Sequence, residues 1–473
     1  MTREQMSNAD AAWLHMDRPT NLMVITSVMW SDERIDRAAL TQVVSERLIG
    51  PYRRFRQRVV EAHIPLRTPH WEDDPDFDLE RHIHHRALPE PGGDAELQDL
   101  VGDLMSTPLD HSKPLWDLYV VDGFRGGSAL VSRMHHCIAD GIALARVMLS
   151  LADEQRDAGI TPVAPEWSAH RGPGGRLAHQ TRAAAGSATH AAGALAHEGM
   201  EIMSAPRSEV AHLAGEAVRD ARAVAKLLLT GADADTVFKG RMSVPRRAAW
   251  SRGLELDEVK AIGRASGATV NDVLVTALTG SLRDYLRRRD SLVDHVRAFV
   301  PFNLRPLDQP LPSTLGNAFG LVYLTLPVGI ASTRERLLSV KAEMDSIKHS
   351  PEGEVAYGIL GLVGMTPPEV EKVAIDVFAA KASMVVTNVP GPQQPLYLAG
   401  VPLRGVLVWA PMSGSVAMSV SILSYDGRVT VGVMSDAGLV PDPERIVNGF
   451  ERELRKLGRL YPPRETPALA SSR

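Results

Sequence analysis

The sequence predicts a mixed α/β protein of two domains, and three observations carry that prediction. The chain has 473 residues, too many for one ordinary core. Apolar, β-branched runs alternate with stretches of helical spacing both before residue 160 and after residue 246. Between them the composition changes: TPVAPEWSAHRGPGG is punctuated by proline and glycine, and segments rich in alanine, glycine and histidine follow. The expected organisation is therefore a first domain over 1–160, a helical connecting region over 161–245 and a second domain over 246–473.

In the first domain, NLMVITSVMW (21–30), LYVVDGF (118–124) and ALVSRMHH (129–136) read as strands, with helices near 36–48 and 94–106. IALARVMLSLAD, after Gly141, has helical spacing with Asp140 as its N-cap, so HHCIADG (135–141) sits where a strand hands over to a helix. In the connecting region an apolar stripe runs from Val210 to Leu228 with Arg219, Arg222 and Lys226 opposite. That amphipathic helix either packs on a domain or lies on a membrane surface. The basic group Lys239, Arg241, Arg246, Arg247 and Arg252, with Trp250, faces lipid head groups, CoA phosphates or solvent. In the second domain, strands at 296–303, 318–326, 382–388 and 403–409 alternate with helices. SVSILSYDGRVTVGVMSD (419–436) reads as a hairpin turning at Asp426-Gly427, a dipeptide that accepts positive φ.

Composition narrows the function. Hydrophobic residues make up 44% and charged residues 23%, as in folded globular proteins. Net charge is -5, with 52 basic and 57 acidic side chains intermixed, so no basic field exists to hold nucleic acid. The one cysteine, Cys137, excludes an internal disulfide framework and a multi-cysteine zinc site. No run reaches the roughly 18 to 20 apolar residues that cross a bilayer, and FGLVYLTLPVGI is broken by Pro327. The first residues lack an apolar signal region, so a cytoplasmic protein with at most peripheral membrane contact is expected.

HHCIADG concentrates the candidate chemistry. Histidine takes a proton near neutrality, with a reference pKa of about 6.5, and a positioned base contributes roughly 10²- to 10⁴-fold in rate. Side chains alternate along a strand, so His135 and His136 face opposite ways and one acts while the other packs. Asp140 fixes the bend, and Gly141 leaves room beside the base. Three alternatives stand beside this one. Zinc needs at least three ligands, and no HExxH or second His/Asp cluster accompanies the motif. A nucleophilic Cys137 in an extended segment points away from the adjacent His136. Purely structural histidines are the third. Local chemistry favours a general base but names no reaction.

The string matches HHxxxDG, which marks the CoA-dependent acyltransferase superfamily of chloramphenicol acetyltransferase, plant BAHD enzymes and peptide-synthetase condensation domains. Its surroundings, TPLDHSKPLWDLYVVDGFRGGSALVSRMHHCIADG (107–141), resemble the bacterial wax ester synthase/diacylglycerol acyltransferase family. FRQRV (55–59), PHWEDDPDFDLERHI (69–83), TVNDVLVTALTGSLRDYL (269–286), VPFNLRP (300–306), LGNAFG (315–320) and TNVPGP (387–392) extend the resemblance over nearly the whole chain outside the connecting region.

The resemblance implies two chloramphenicol-acetyltransferase-like domains with mixed sheets and an active-site channel between them. It makes His136 the base that deprotonates the acceptor hydroxyl as it attacks an acyl-CoA thioester in one ternary complex, with diacylglycerol or a long-chain alcohol as acceptor. Asn271 is then the leading oxyanion donor, with Thr387 and Asn388 as alternative substrate-binding groups. His135, Asp140, Gly141, Pro114, Leu115, Trp116 and Asp272 take supporting roles, Asp140 through an arginine that the resemblance leaves unidentified. Acyl-CoA is a co-substrate, with no bound cofactor and no metal. Contact with a membrane or lipid-droplet surface is peripheral, on the inner face of the plasma membrane.

Overall fold

The computed structural model describes residues 3–61, 68–159, 229–305, 310–348, 352–363, 366 and 368–462. The amphipathic helix read over 210–228 lies outside them. Two sheets face each other across a seam. The first is five-stranded, in the order Gly405–Trp409, Val24–Ser31, Gly127–His135, Trp116–Phe124, Ile83–Ala87. Val24–Ser31 and Gly127–His135 are buried at every position, which is why both read as near-continuous apolar runs rather than alternating ones.

The second sheet is seven-stranded. It runs Leu254–Glu255, Arg428–Asp436, Met418–Tyr425, Met384–Pro390, Val296–Asn303, Phe319–Leu326, with Arg246–Trp250 also paired to Arg428–Asp436. Met384–Pro390 is parallel to both neighbours while the other pairs are antiparallel, so this sheet is mixed. The predicted hairpin turns at Asp426 (φ 46°) and Gly427 (φ 72°), the two positive angles its sequence accommodates. Helices Val270–Arg287 and Pro443–Leu460 pack together on the outer face, where Arg336 and Glu453 form a buried 2.6 Å ion pair.

Three details depart from the sequence reading. The helix expected over 36–48 is α-helical over Arg37–Val44 and continues as a π-helical turn, Ser45–Ile49. The strand read at 403–409 is Gly405–Trp409, and it leaves the second half to complete the first sheet, antiparallel to Val24–Ser31. Glycine is required at 405, because a Cβ there would lie 2.0 Å from the Trp30 ring. The basic group is not one exposed face. Lys239 donates to the carbonyls of Ala380 and Ala382, and Arg246 forms a buried pair with Asp436, so burial and fold contacts consume both. Trp250 stacks on Trp30 within the seam. Among the described residues no helix is long and apolar enough to cross a membrane.

Candidate active site

Strand Gly127–His135 ends at the seam, and the next five residues are clipped to a segment of the other half. The His136 N–H donates to the Met23 carbonyl at 2.7 Å, and Asn317 Nδ2 donates to the His136 carbonyl at 2.8 Å. The Gly316 N–H donates to the Ile138 carbonyl at 3.0 Å. Asp140 then caps helix Gly141–Leu149, accepting from the Ala143 N–H at 2.8 Å through Oδ1. Its Oδ2 accepts from the Ala318 N–H at 3.1 Å and pairs with Arg305 at 3.3 Å. Arg305, within VPFNLRP, is thus the arginine that supports Asp140. The motif is held in place from both halves of the chain.

The His136 ring stacks on Trp13, with centroids 4.0 Å apart and planes 19° apart, and Phe319 flanks it at 5.3 Å. It lines a cavity of about 80 Å³ walled by Gly141 and Ile142 from the first half and by Phe299, Phe319, Leu321, Val385, Thr387 and Asn388 from the second. Burial pushes the imidazole pKa down from 6.5 to about 3, against the opposing pull of its own backbone and of Asn317. The ring is neutral at any physiological pH. Nδ1 has no hydrogen-bond partner among the described residues. A Cβ at Gly141 would meet only Ile25 Cδ1, at 4.0 Å, so the glycine's missing side chain is cavity space.

His135 faces the other way, as strand alternation predicts. Its Nδ1 accepts from the Cys137 N–H at 3.1 Å, which leaves the proton on Nε2, 3.8 Å from Asp17 Oδ2. Burial alone would raise the Asp17 carboxyl, but hydrogen bonding with His111 and His135 outweighs it and holds Asp17 below the usual carboxylate range. Cys137 is fully buried, and burial pushes its thiol up, the opposite of an activated thiolate. Cys137→Ala should therefore keep at least half of the wild-type turnover. Complete loss with an unchanged melting temperature would restore a covalent step.

Of the supporting residues, Asp140 and Gly141 line the cavity, while Pro114, Leu115, Trp116 and Asp272 stand outside it. The Leu115 carbonyl accepts from the His135 N–H at 2.9 Å, and Trp116 Nε1 donates to the Phe55 carbonyl at 2.9 Å while its ring stacks on His82. Pro114 precedes them in the turn entering that strand. Asp272 forms a capping box with Thr269, accepting the Thr269 N–H at 2.8 Å. Asn271 does not line the cavity; its Oδ1 accepts from Asn388 Nδ2 at 2.5 Å. Of the three oxyanion candidates, Thr387 and Asn388 line the same cavity as His136, and Asn271 is joined to it through Asn388. Among the described residues no three His, Cys, Asp or Glu side chains group as metal ligands.

Sequence reasoning missed Trp13, Asp10 and the role of Asn317. Asp10 Oδ1 accepts both the N–H and Nδ2 of Asn317, at 3.0 and 2.7 Å, while burial pushes its carboxyl up. Asn317 falls within LGNAFG, so its segment is visible in the sequence, but its pairings with Asp10 and His136, 307 and 181 residues away, are not. Trp13 sits in helix Asn8–His15 outside any motif, and nothing in one sequence marks it.

Residues 6–274 match the family model for the wax ester synthase/diacylglycerol acyltransferase catalytic domain, and residues 315–458 match the model for the C-terminal domain of the same family. The chain belongs to the wax ester synthase/diacylglycerol acyltransferase family. A probable diacylglycerol O-acyltransferase of Mycobacterium tuberculosis is 27% identical over 462 residues, 96% of this chain and 95% of the relative. A second, putative one from that organism is 25% identical over 470 residues, 96% of this chain and 90% of the relative. Among solved structures, the wax ester synthase/diacylglycerol acyltransferase of Marinobacter aquaeolei superposes with a TM-score of 0.66 at 22% identity, over 97% of this chain and 100% of that one. The first condensation domain of the CDA synthetase superposes at 0.61 and 17%, over 98% and 97%. These likenesses bear out the expected fold, a mixed α/β chain of two chloramphenicol-acetyltransferase-like halves with mixed sheets that together match one condensation domain.

Proposed function

We propose that this chain is an acyl-CoA-dependent O-acyltransferase that esterifies diacylglycerol with a long-chain acyl group to give triacylglycerol. The observation that carries this reading is His136, a neutral imidazole lining an apolar cavity walled by both halves. In the step we assign to it, the ring accepts the acceptor's hydroxyl proton as that oxygen bonds to the thioester carbon. The tetrahedral oxyanion then collapses, breaks the carbon–sulfur bond, and releases CoA, whose thiolate takes the proton back from the imidazolium. No acyl-enzyme forms. In this reading Thr387 and Asn388, which line the same cavity, donate to the oxyanion and Asn271 orients Asn388; a donor of this kind supplies about 2.7 to 4 kcal/mol. Acyl-CoA enters as co-substrate, and no resident cofactor or metal takes part.

A second reading, wax ester synthesis with a long-chain alcohol as acceptor, fits the same cavity wall. Phe299, Phe319, Leu321, Val385 and Val408 suit any long alkyl chain. Both acceptors are water-insoluble, so we place the enzyme in the cytoplasm, working peripherally at the inner face of the plasma membrane or on lipid droplets. Incubation with radiolabelled palmitoyl-CoA and either diolein or hexadecanol, followed by lipid separation, tests the proposal. Labelled triacylglycerol is the expected product. Acyl-CoA binding without any ester product would make the chain a lipid-binding protein that has lost turnover.

A further inference from the structure

Strand Met418–Tyr425 divides its residues between two environments by simple alternation. Met418, Val420 and Ile422 join the core of the second half, while Leu423 and Tyr425 join the apolar cluster that fills the seam. Ser419 and Ser421 share the seam-facing side. They are 0% and 1% exposed, and neither hydroxyl has a hydrogen-bond partner among the described residues. From the opposite sheet, the Trp409 indole N–H is likewise buried without a partner among those residues.

The three groups form one patch. Ser421 is in register with Gly432, and a Cβ built on Gly432 would lie 3.0 Å from Trp409 Nε1. Paired residues of neighbouring strands face the same side of the sheet, so the N–H edge of the indole meets the seam face at the Gly432 member of this pair. On the other flank, Ser421 is in register with Thr387 and Ser419 with Val385. Thr387 and Val385 line the His136 cavity, so the patch begins one strand behind its wall.

A buried polar group without a partner costs about 1 to 3 kcal/mol, and alanine or valine would avoid that cost in a seam that is otherwise apolar. The empty cavity, at about 80 Å³, is also far smaller than the roughly 300 Å³ or more of pockets that hold a substrate. The contact that closes this side of the seam is the packing of Gly405–Trp409 on Met418–Tyr425, and we take a bound substrate to part it. Such parting would open the patch to the ligand. An indole N–H only donates, a hydroxyl donates or accepts, and no charged group belongs to the patch. Its complement is therefore a neutral acceptor, neither a phosphate nor an ammonium group.

We propose that Ser419, Ser421 and the Trp409 N–H form a subsite that receives a carbonyl oxygen of bound substrate. This rests on the acyltransferase reading above. Apart from the reacting thioester carbonyl, which is assigned to Thr387 and Asn388 above, two substrates bring such an oxygen: diacylglycerol through its esters, and CoA through the amides of its pantetheine arm. A long-chain alcohol brings none.

The test compares the wild type with the double variant Ser419→Ala/Ser421→Ala, using palmitoyl-CoA with diolein or hexadecanol. If the oxygen is an ester carbonyl, the ratio of kcat/KM for diolein to that for hexadecanol falls about tenfold, the value of one or two net hydrogen bonds. If it is a pantetheine amide, KM for palmitoyl-CoA rises about tenfold with either acceptor. Either result supports the subsite. An unchanged ratio together with an unchanged palmitoyl-CoA KM overturns it, since the hydroxyls then hold water only. The melting temperature should stay level or rise, because the hydroxyls removed have no partner among the described residues; a fall of more than about 5 °C would make them structural and also overturn the proposal. A wild type inactive with both acceptors would instead sink the acyltransferase reading.

Discussion

Replacing His136 by alanine is expected to lower acyl transfer by at least 10²-fold, and toward 10⁴-fold, with the protein still folded. The ring is the one titratable side chain that is both neutral and open to the cavity beside Thr387 and Asn388 among the described residues lining it, Asp140 being tied to Arg305. Its loss forfeits the stack on Trp13 but also removes a buried Nδ1 that has no partner among the described residues, so the stability cost should stay within about 1 to 2 kcal/mol. Single-turnover transfer from labelled palmitoyl-CoA, with a circular dichroism melt, checks both parts. More than a tenth of the wild-type rate in a folded variant would remove His136 from the base role.

The same ring carries a pH dependence of known sign. Its folded value, about 3, lies below the ordinary 6.5, so as pH falls the unfolded chain binds this proton first. Its contribution to stability is present above pH 6.5 and is lost on acidification toward 3. Wild-type melting temperature should fall between pH 7 and pH 5, and by less in His136→Ala. An equal fall in both would mean that the ring is not held neutral by burial. Burial shifts His135 the same way, so part of the fall remains in the variant.

Local signals were legible because they act over a few residues. The Asp140 cap, the Asp426-Gly427 turn and the opposed directions of His135 and His136 each follow from spacing and alternation. What the sequence hid are pairings between distant segments. Nothing in GVLVW says that it will cross to the sheet of NLMVITSVMW, since both are apolar runs able to pair with any buried edge. The same limit hid Asp10 from Asn317 and Arg305 from Asp140, each pair joining residues of opposite halves. Asn271 illustrates the reverse case: a motif drew attention to it, while the cavity is lined by its partner Asn388.

Asp140→Ala should be the most damaging change outside the cavity chemistry itself. Alanine removes the N-cap of helix Gly141–Leu149, typically about 1 kcal/mol, and leaves the Ala318 N–H and the Arg305 guanidinium without their carboxylate. Breaking a fully buried pair by deleting one partner costs about 3 to 5 kcal/mol, but the Arg305 side chain is 23% exposed and water recovers part of that. A total of about 2 to 4 kcal/mol is expected. The larger consequence is for rate, because Asp140 fastens the segment 136–140 to residues 315–318 of the other half. A displacement of about 1 Å at His136 would cost on the order of 10²-fold. Asp140→Asn keeps an oxygen for the cap while losing the charge, so it should recover most of the stability and less of the activity. If Asp140→Ala melts within about 2 °C of wild type and turns over within twofold of it, the two halves do not need this tie to hold His136 in place.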